Sequence, residues 1–359
     1  MNSPASHVPA ASPMRLAFVW AVGFAIGTLL VAVSSPLFVR TYLPLSWDAV
    51  RNTWTLRPGS DYRWRSEGYA TTRIGPHGMP GRRSLPSPES TDVRVALWGD
   101  SQAEGVCIED GWKPFAQAER LAQEESLSLA VLPLARSGEN AATWLSQIQA
   151  VESAFEIDLH VFLIVDLPDL LSATDARPRT IDSVESADRG RNAIASQVPA
   201  FVIQAARNLV TDQDGTSPRK LRFSVGPEAA ATGGRDRDPD GSSISRYRWA
   251  EIMNAFHQAC DRPVVLLHAP PIPKIVGGRM SQSFDLQDEL PEIKRAAAAA
   301  GIEFISVDDA LLQAANRGNW PHGYHNGQIG VGHLNATGYA IVANALVNAA
   351  ERITHREGD

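Results

Sequence analysis

Two turns in the sequence carry side chains that could transfer an acyl group. Ser101 ends the tripeptide Gly-Asp-Ser directly after an apolar run, and Gly105 follows four residues later. His333 lies in Gly-His-Leu-Asn, shortly before the last helical stretch of the chain. A serine hydroxyl becomes a useful nucleophile when an adjacent base such as histidine takes its proton. These residue types therefore predict a serine nucleophile and a histidine base.

A third turn offers groups that could stabilise an oxyanion. Gly138 lies in Arg-Ser-Gly-Glu-Asn at residues 136–140, after a second apolar run. A glycine lets a backbone N–H approach a developing negative charge closely. Asn140 is a candidate for a side-chain amide at the same place, although ordinary loop polarity explains it as well. Each turn alone is unremarkable, and only the combination indicates a site.

The order and spacing of these motifs resemble the SGNH/GDSL hydrolase superfamily. The resemblance covers most of the chain after its first ninety residues, from about residue 93 to 350. It implies that Ser101 is the nucleophile and His333 the general base, and that the N–H groups of Ser101 and Gly138 form the oxyanion hole. It also implies an acyl-enzyme mechanism that needs no metal or other cofactor.

The sequence departs from the family pattern at the acid. Gly330 stands three residues before the histidine, where the family usually has aspartate. Either a backbone carbonyl orients His333, giving a Ser–His dyad, or an acid comes from elsewhere. Asp308 and Asp309 follow a predicted strand and are candidates, but capping the next helix explains them equally well.

A second departure concerns the oxyanion hole. Pro168 stands where the family has an asparagine whose side chain completes the hole. Loss of one such donor costs about 10²–10³-fold in turnover in a well-studied protease. Both departures favour an alternative function, in which a catalytically degenerate domain binds a glycan or a partner protein.

The elements that position these turns alternate between apolar strands and amphipathic helices. Near-continuous apolar strands of this kind predict a parallel sheet covered on both faces. We therefore expect a three-layer α/β/α domain with the flavodoxin-like SGNH hydrolase fold over residues 91–352, followed by a short tail at 353–359. The alternation lapses at about 173–245, which predicts an insertion. A helical stretch within it, residues 192–210, has three interpretations: core packing, a cover over the site or membrane contact.

The N-terminal part predicts a membrane segment. After a tail at residues 1–15, residues 16–39 form an uncharged run long enough to cross a hydrocarbon core about 30 Å thick. A retained anchor, a cleaved signal peptide and a buried core helix are three interpretations. Residues 40–90 are rich in Arg, Pro, Gly and Ser, which predicts a juxtamembrane stalk and lead-in.

Composition excludes several classes of protein. Hydrophobic residues make up 44% of the 359 residues, and the net charge is −7, so the chain is neither disordered nor suited to bind nucleic acid. The two cysteines, Cys107 and Cys260, cannot form a disulfide framework or a cysteine zinc cluster. We expect no metal at His322, His325 and His333, because no carboxylate pattern accompanies them.

These features together predict a membrane-anchored serine esterase or O-acyltransferase. The expected substrate is an acylated, most simply acetylated, glycan of the envelope or of a secreted polysaccharide. We expect a single membrane pass with a periplasmic or extracellular catalytic domain, although the arginines flanking the apolar run do not favour that orientation. The sequence leaves the oligomeric state open.

Overall fold

A parallel five-stranded sheet forms the centre of the computed structural model. The structure describes residues 12–38, 45–65, 67–88, 91–175, 247–276, 279–281 and 284–357. The strands are β1 Leu45–Asp48, β2 Thr53–Leu56, β3 Asp61–Trp64, β4 Ala70–Arg73, β5 Val93–Trp98, β6 Leu129–Pro133, β7 Leu159–Ile164, β8 Val264–His268, β9 Lys274–Val276, β10 Arg279–Ser281 and β11 Glu303–Ser306. The helices are α1 Pro13–Phe38, α2 Ser101–Glu104, α3 Pro114–Glu124, α4 Ala141–Leu145, α5 Ile148–Phe155, α6 Trp249–Ala259, α7 Leu290–Ala299, α8 Asp308–Asn316 and α9 Ala336–Glu357.

The order of the strands defines the fold. The sheet runs β6–β5–β7–β8–β11, and each neighbouring pair is parallel. In chain order this is 2-1-3-4-5, the flavodoxin-like arrangement. The expected α/β/α fold is confirmed. The strand order reverses between β5 and β7, and ligands of such sheets bind beyond the carboxyl ends of the strands at that point.

The apolar strands explain why both faces of the sheet are covered. Every residue of β5, β7 and β8 is buried. Helices α3 and α9 pack together over one face, and α4 to α7 lie over the other. On the second face the rings of Phe162 and Phe256 meet edge to face with centroids 4.9 Å apart. The sheet is therefore a rigid platform for the turns that follow its strands.

The described residues of the segment predicted as a stalk and lead-in, 45–65 and 67–88, contain two hairpins, which corrects the prediction of a stalk there. Strands β1 and β2 form an antiparallel hairpin, and so do β3 and β4. In β3, Tyr62 and Trp64 are buried while Asp61 and Arg63 are exposed, the alternation typical of a strand with one covered face. The composition of residues 40–90 concealed this pattern, because Arg, Pro and Gly also supply the turns between short strands.

Arg51, which follows β1, joins these hairpins to the α/β domain. Its guanidinium is buried and donates hydrogen bonds to the carbonyl of Leu134 at 2.7 Å and to Oε1 of Gln147 at 2.8 Å. Burial lowers the pKa of Arg51 to about 10, partly offset by the nearby Glu139 carboxylate. The hairpins are thus held to the turn after β6 and to the connection between α4 and α5.

The N-terminal helix α1 agrees with the predicted apolar segment. Residues 13–31 have a mean hydropathy of 1.9, and this stretch is 0% buried against the described part of the chain. The interpretation as a buried core helix is therefore wrong. A retained anchor and a cleaved signal both fit the helix. The predicted insertion, including its helical stretch at 192–210, lies outside the described residues from residue 176 onward.

We expect Arg51→Ala to lower the free energy of unfolding by about 2–4 kcal/mol, because it leaves two buried acceptors without donors. Urea denaturation of the full-length protein in detergent measures this change. Arg57→Ala, an exposed arginine after β2, is the matched control and should change the value by less than about 0.5 kcal/mol. Equal effects of the two substitutions would contradict the bridging role of Arg51.

Candidate active site

Ser101 is placed at the carboxyl end of β5, beside the point where the strand order reverses. The turn requires glycine at position 99, since a Cβ there would lie 2.5 Å from the Cβ of Ala103 and 2.8 Å from the carbonyl oxygen of Leu163. Asp100 caps α2 by accepting a hydrogen bond from the Gln102 N–H at 2.9 Å. The chain is thereby forced to turn sharply, and Ser101 becomes the first residue of the short helix.

His333 lies in the loop before α9, with its Nε2 3.0 Å from the Ser101 Oγ. The flanking backbone is fixed to the serine turn, because the Leu334 N–H donates to Gln102 Oε1 at 2.9 Å. The Tyr339 hydroxyl donates to the Gln102 carbonyl at 2.8 Å. Gln102 thus holds together the two loops that carry the predicted nucleophile and base.

The acid that faces His333 is Glu67, which the sequence did not indicate. Its Oε2 lies 2.7 Å from His333 Nδ1, and its Oε1 accepts the His333 backbone N–H at 2.8 Å. The Trp64 ring packs edge to face against the imidazole, with centroids 5.9 Å apart. Ser101, His333 and Glu67 therefore form a hydrogen-bonded chain with the order of a serine-hydrolase triad.

Glu67 is held in place by the turn between β3 and β4. Gly68 has φ of +68°, and a Cβ there would lie 2.1 Å from the Cys107 carbonyl oxygen, so only glycine fits. The Gly68 N–H donates to Asn326 Oδ1 at 2.7 Å, and Asn326 Nδ2 donates back to the Gly68 carbonyl at 2.9 Å. One asparagine side chain thus connects the glutamate turn to the loop between α8 and α9.

The two predicted acids lie elsewhere, so that prediction is wrong. Asp308 and Asp309 form the first turn of α8, where negative charge is favourable. They follow β11, which is three strand positions, or about 14 Å, from β5. The proposed Ser–His dyad is also wrong, since His333 Nδ1 is paired with a carboxylate. Gly330 has φ of +79°, and its N–H donates to the His322 carbonyl at 2.9 Å.

The predicted oxyanion donors lie on adjoining turns. The buried Glu104 carboxylate, at the end of α2, accepts hydrogen bonds from Ser137 N at 2.7 Å and from Ser137 Oγ at 2.8 Å. Gly138 comes next, is exposed and has φ of +78°. Ser101 begins its helix, so its own N–H has no partner within that helix. The two turns that carry these N–H groups are thus connected through Glu104.

Neither Asn140 nor Pro168 is seen to provide a hydrogen-bond donor to the predicted oxyanion hole. Asn140 caps α4, with its Oδ1 3.4 Å from the Thr143 N–H. Pro168 is exposed in the 3₁₀ segment Leu167–Asp175 and has no N–H to give. Among the described residues, the three histidines considered for metal form no common ligand group, although His333 lies with Glu67 and Cys107. The ring of buried His322 faces the carbonyls of Pro270 and Gly332, and burial lowers its pKa to about 4.

Three carboxylates, those of Asp100, Asp166 and Asp169, lie close together near Ser101. Burial raises the pKa of Asp100, whose Oδ2 accepts a hydrogen bond from the Ser101 hydroxyl at 3.4 Å. Burial and the negative charges of Asp100 and Asp166 raise the pKa of Asp169 to about 7. A proton on Asp169 therefore relieves repulsion among these groups near neutral pH.

Comparison with known proteins gives weak structural likenesses only. No protein-family model matches this sequence, and neither does any curated protein sequence. A two-domain esterase active on acetylated mannans is 9% identical, with a TM-score of 0.36, over 73% of this chain and 49% of that one, so the chain spans about half its length. A family 3 carbohydrate esterase of Clostridium thermocellum is 11% identical, with a TM-score of 0.35, over 74% of this chain and 99% of that one. A lipase/acylhydrolase from Enterococcus faecalis is 13% identical, with a TM-score of 0.37, over 74% and 96%.

Similarities as low as these do not support an inference about activity, which must instead be based on the geometry of the site. The fold and the site together define a flavodoxin-like α/β/α domain with a Ser–His–Glu hydrogen-bonded chain at its switch point.

Asp169 gives a pH-dependent test of the electrostatics. Its folded pKa, about 7, lies above the ordinary value of 3.8, so the folded state binds this proton more tightly than the unfolded state. The wild type therefore loses stability as the pH rises from about 4 to about 7. We expect the gain in Tm from Asp169→Asn to be larger at about pH 8 than at about pH 5.

The matched control is Asp175→Asn, an exposed carboxylate of the same 3₁₀ segment, which should change Tm less than Asp169→Asn does at about pH 8. A pH-independent effect of Asp169→Asn would show that its neighbours do not repel it.

Proposed function

We propose that this protein is a serine esterase or O-acyltransferase of the SGNH/GDSL type that works through an acyl-Ser101 intermediate. The single observation that carries the proposal is the hydrogen-bonded chain from Ser101 Oγ through His333 to Glu67. A serine beside a histidine is common, but a carboxylate on the far ring nitrogen is the third group that orients a catalytic base.

The chemistry follows from the positions of the protons. Glu67 on Nδ1 keeps the imidazole proton there, so Nε2 is free to accept the Ser101 proton as Oγ attacks an ester carbonyl. The N–H groups of Ser101 and Gly138 stabilise the resulting oxyanion. The imidazolium then protonates the leaving alcohol, and water or a second hydroxyl releases the acyl group. Release to water makes an esterase, and release to a hydroxyl makes a transferase.

The completed triad weakens the alternative of a binding domain without catalysis. That alternative was based on two departures from the family pattern: Gly330 in place of the usual aspartate and Pro168 in place of the usual asparagine. Glu67 provides a carboxylate for His333 in place of the missing aspartate. Only Pro168 still favours a domain without catalysis, and this proline removes one donor of the oxyanion hole without affecting the other proposed catalytic groups. We therefore expect a working enzyme with a hole of two backbone donors.

The proposed substrate is an acyl ester, most simply an acetyl ester, on a glycan of the cell envelope or of a secreted polysaccharide. The support is α1, since an enzyme anchored at the membrane surface meets glycans more than soluble metabolites. We further propose that α1 is a retained single-pass anchor and that the α/β domain lies on the periplasmic or extracellular side. A reporter fused after residue 39 tests that orientation.

We expect the full-length protein in detergent to hydrolyse p-nitrophenyl acetate, with kcat lowered by up to about 10⁴-fold in Ser101→Ala, His333→Ala and Glu67→Gln. Glu67→Gln keeps the shape of the side chain but removes the charge that stabilises the imidazolium. The measurement is initial rate against substrate concentration, with Tm recorded for each variant.

Asp308→Asn is the matched control, because it removes the acid that follows β11 and should leave kcat within about twofold of the wild type. Equal rates in the wild type and all three triad variants would refute the proposed function. A loss in Asp308→Asn as large as in Glu67→Gln would refute the role given to Glu67.

A further inference from the structure

A buried thiol lies against the triad, and the proposed mechanism does not use it. Cys107 is 1% exposed, and its Sγ is 4.0 Å from the Oε2 of Glu67. One ligand atom each from Glu67, Cys107 and His333 lie within 4.8 Å of one another. The backbone carbonyl of Cys107 packs closely against Gly68. Any residue at position 107 would supply that carbonyl, so this contact does not require a sulfur atom.

The three ligand types together match the preference of zinc. Zinc binds thiolate sulfur at about 2.3 Å and imidazole nitrogen or carboxylate oxygen at about 2.0–2.2 Å, usually as a tetrahedron. The edges of such a tetrahedron are about 3.3–3.8 Å long. The structure has 2.7 Å between His333 Nδ1 and Glu67 Oε2 and 4.0 Å between Glu67 Oε2 and Cys107 Sγ. Shifts below about 1 Å bring these two distances to the tetrahedral range.

The position is charged suitably and open on one side. A carboxylate and a thiolate together balance the two positive charges of the ion. The side chains of His333 and Glu67 are 18% and 17% exposed, whereas Cys107 is 1% exposed, so solvent reaches the imidazole and the carboxylate more readily than the thiol. Three protein ligands leave a fourth position for water, unlike structural zinc sites, which have four protein ligands.

We propose that Glu67, Cys107 and His333 form an inhibitory zinc site within the triad. Zinc bound at Nδ1 takes the place of the proton held there, which moves to Nε2, and coordination at Sγ releases the thiol proton, so one proton leaves as one ion enters. The neutral imidazole keeps a single proton, which must then lie on Nε2. That nitrogen now donates to Ser101 Oγ and cannot accept its proton, so the nucleophile is no longer activated.

Inhibition of hydrolysis rests on the proposed function, whereas metal binding does not, so binding is measured first with cobalt(II) as a spectroscopic substitute for zinc. We expect the full-length protein in detergent to bind one cobalt ion with a thiolate-to-cobalt absorption band. Cys107→Ser and Cys107→Ala should both lose that band. Cys260→Ser, which removes the other buried thiol, is the matched control and should keep it.

Zinc affinity, measured by equilibrium dialysis, should fall by at least about 10–100-fold in both Cys107 variants. Absence of the cobalt band in the wild type, or its persistence in folded Cys107→Ala, would overturn the proposed site.

The inhibition experiment compares each variant with its own zinc-free rate. We expect buffered free zinc to inhibit hydrolysis by the wild type and by Cys260→Ser equally, and a chelator to reverse it. Both Cys107 variants should need about 10–100-fold more zinc for the same fractional inhibition. Equal zinc sensitivity of Cys107→Ser and the wild type would refute inhibition through this site. If the wild type hydrolyses no ester, the proposed function fails and the cobalt spectrum still decides whether the zinc site exists.

Discussion

The arrangement of the site depends on how the Glu67 carboxylate holds His333. One oxygen faces the ring nitrogen and the other accepts the backbone N–H of the same residue, so a single carboxylate fixes both the orientation of the imidazole and the position of its loop. The same carboxylate also explains why residue 332 is a glycine. A Cβ at position 332 would lie 2.2 Å from Glu67 Oε1, so a side chain there would expel the acid from its place.

The serine side of the site is held by buried polar groups, because α2 is too short to be stable alone. The buried Lys113 ammonium donates to the carbonyls of Glu104 and Gly105 at 2.9 and 2.6 Å, which satisfies the end of that helix. Burial lowers the pKa of Lys113 to about 8. The Glu104 carboxylate binds Ser137. The α2 helix is thereby connected to the turn that carries Gly138, and neither turn can move independently.

The sheet and two triad members were predictable, because both depend on local pattern. Apolar runs followed by turns indicate strands, and such turns converge at one edge of a parallel sheet, which is where the structure has Ser101 and the turn of Gly138. His333 follows no strand, and its motif before the last helix was identified through the family resemblance; the structure has its Nε2 3.0 Å from Ser101 Oγ. Glu67 was missed because its contact with His333 spans 266 residues, and nothing near it in the sequence marks it as an acid of the site. The alternation in Asp61–Trp64 and the glycine at 68 could have indicated a hairpin, but not where it would pack.

Asp308 became a candidate for the acid because strand-end reasoning takes no account of strand order. Every strand of a parallel sheet ends at the same edge, so each polar residue after a strand is an equal candidate until the order is known. The observed order puts β11 at the border of the sheet and β5 beside the reversal. Two strands, β7 and β8, therefore separate the Asp308 turn from the serine, a distance that no side chain spans.

The completed site also limits which substrates are favourable. Asp100 and Asp169 lie on the serine side, where burial raises the pKa of both, so negative charge is already disfavoured there before a substrate enters. An oxyanion adds one more negative charge, and we assign only two backbone N–H groups to oppose it. A substrate with its own carboxylate or phosphate beside the ester would add a further repulsion from these two aspartates. For the proposed glycan substrate, a neutral acyl group on an uncharged sugar avoids that repulsion, so we expect neutral glycans to be preferred over acidic ones.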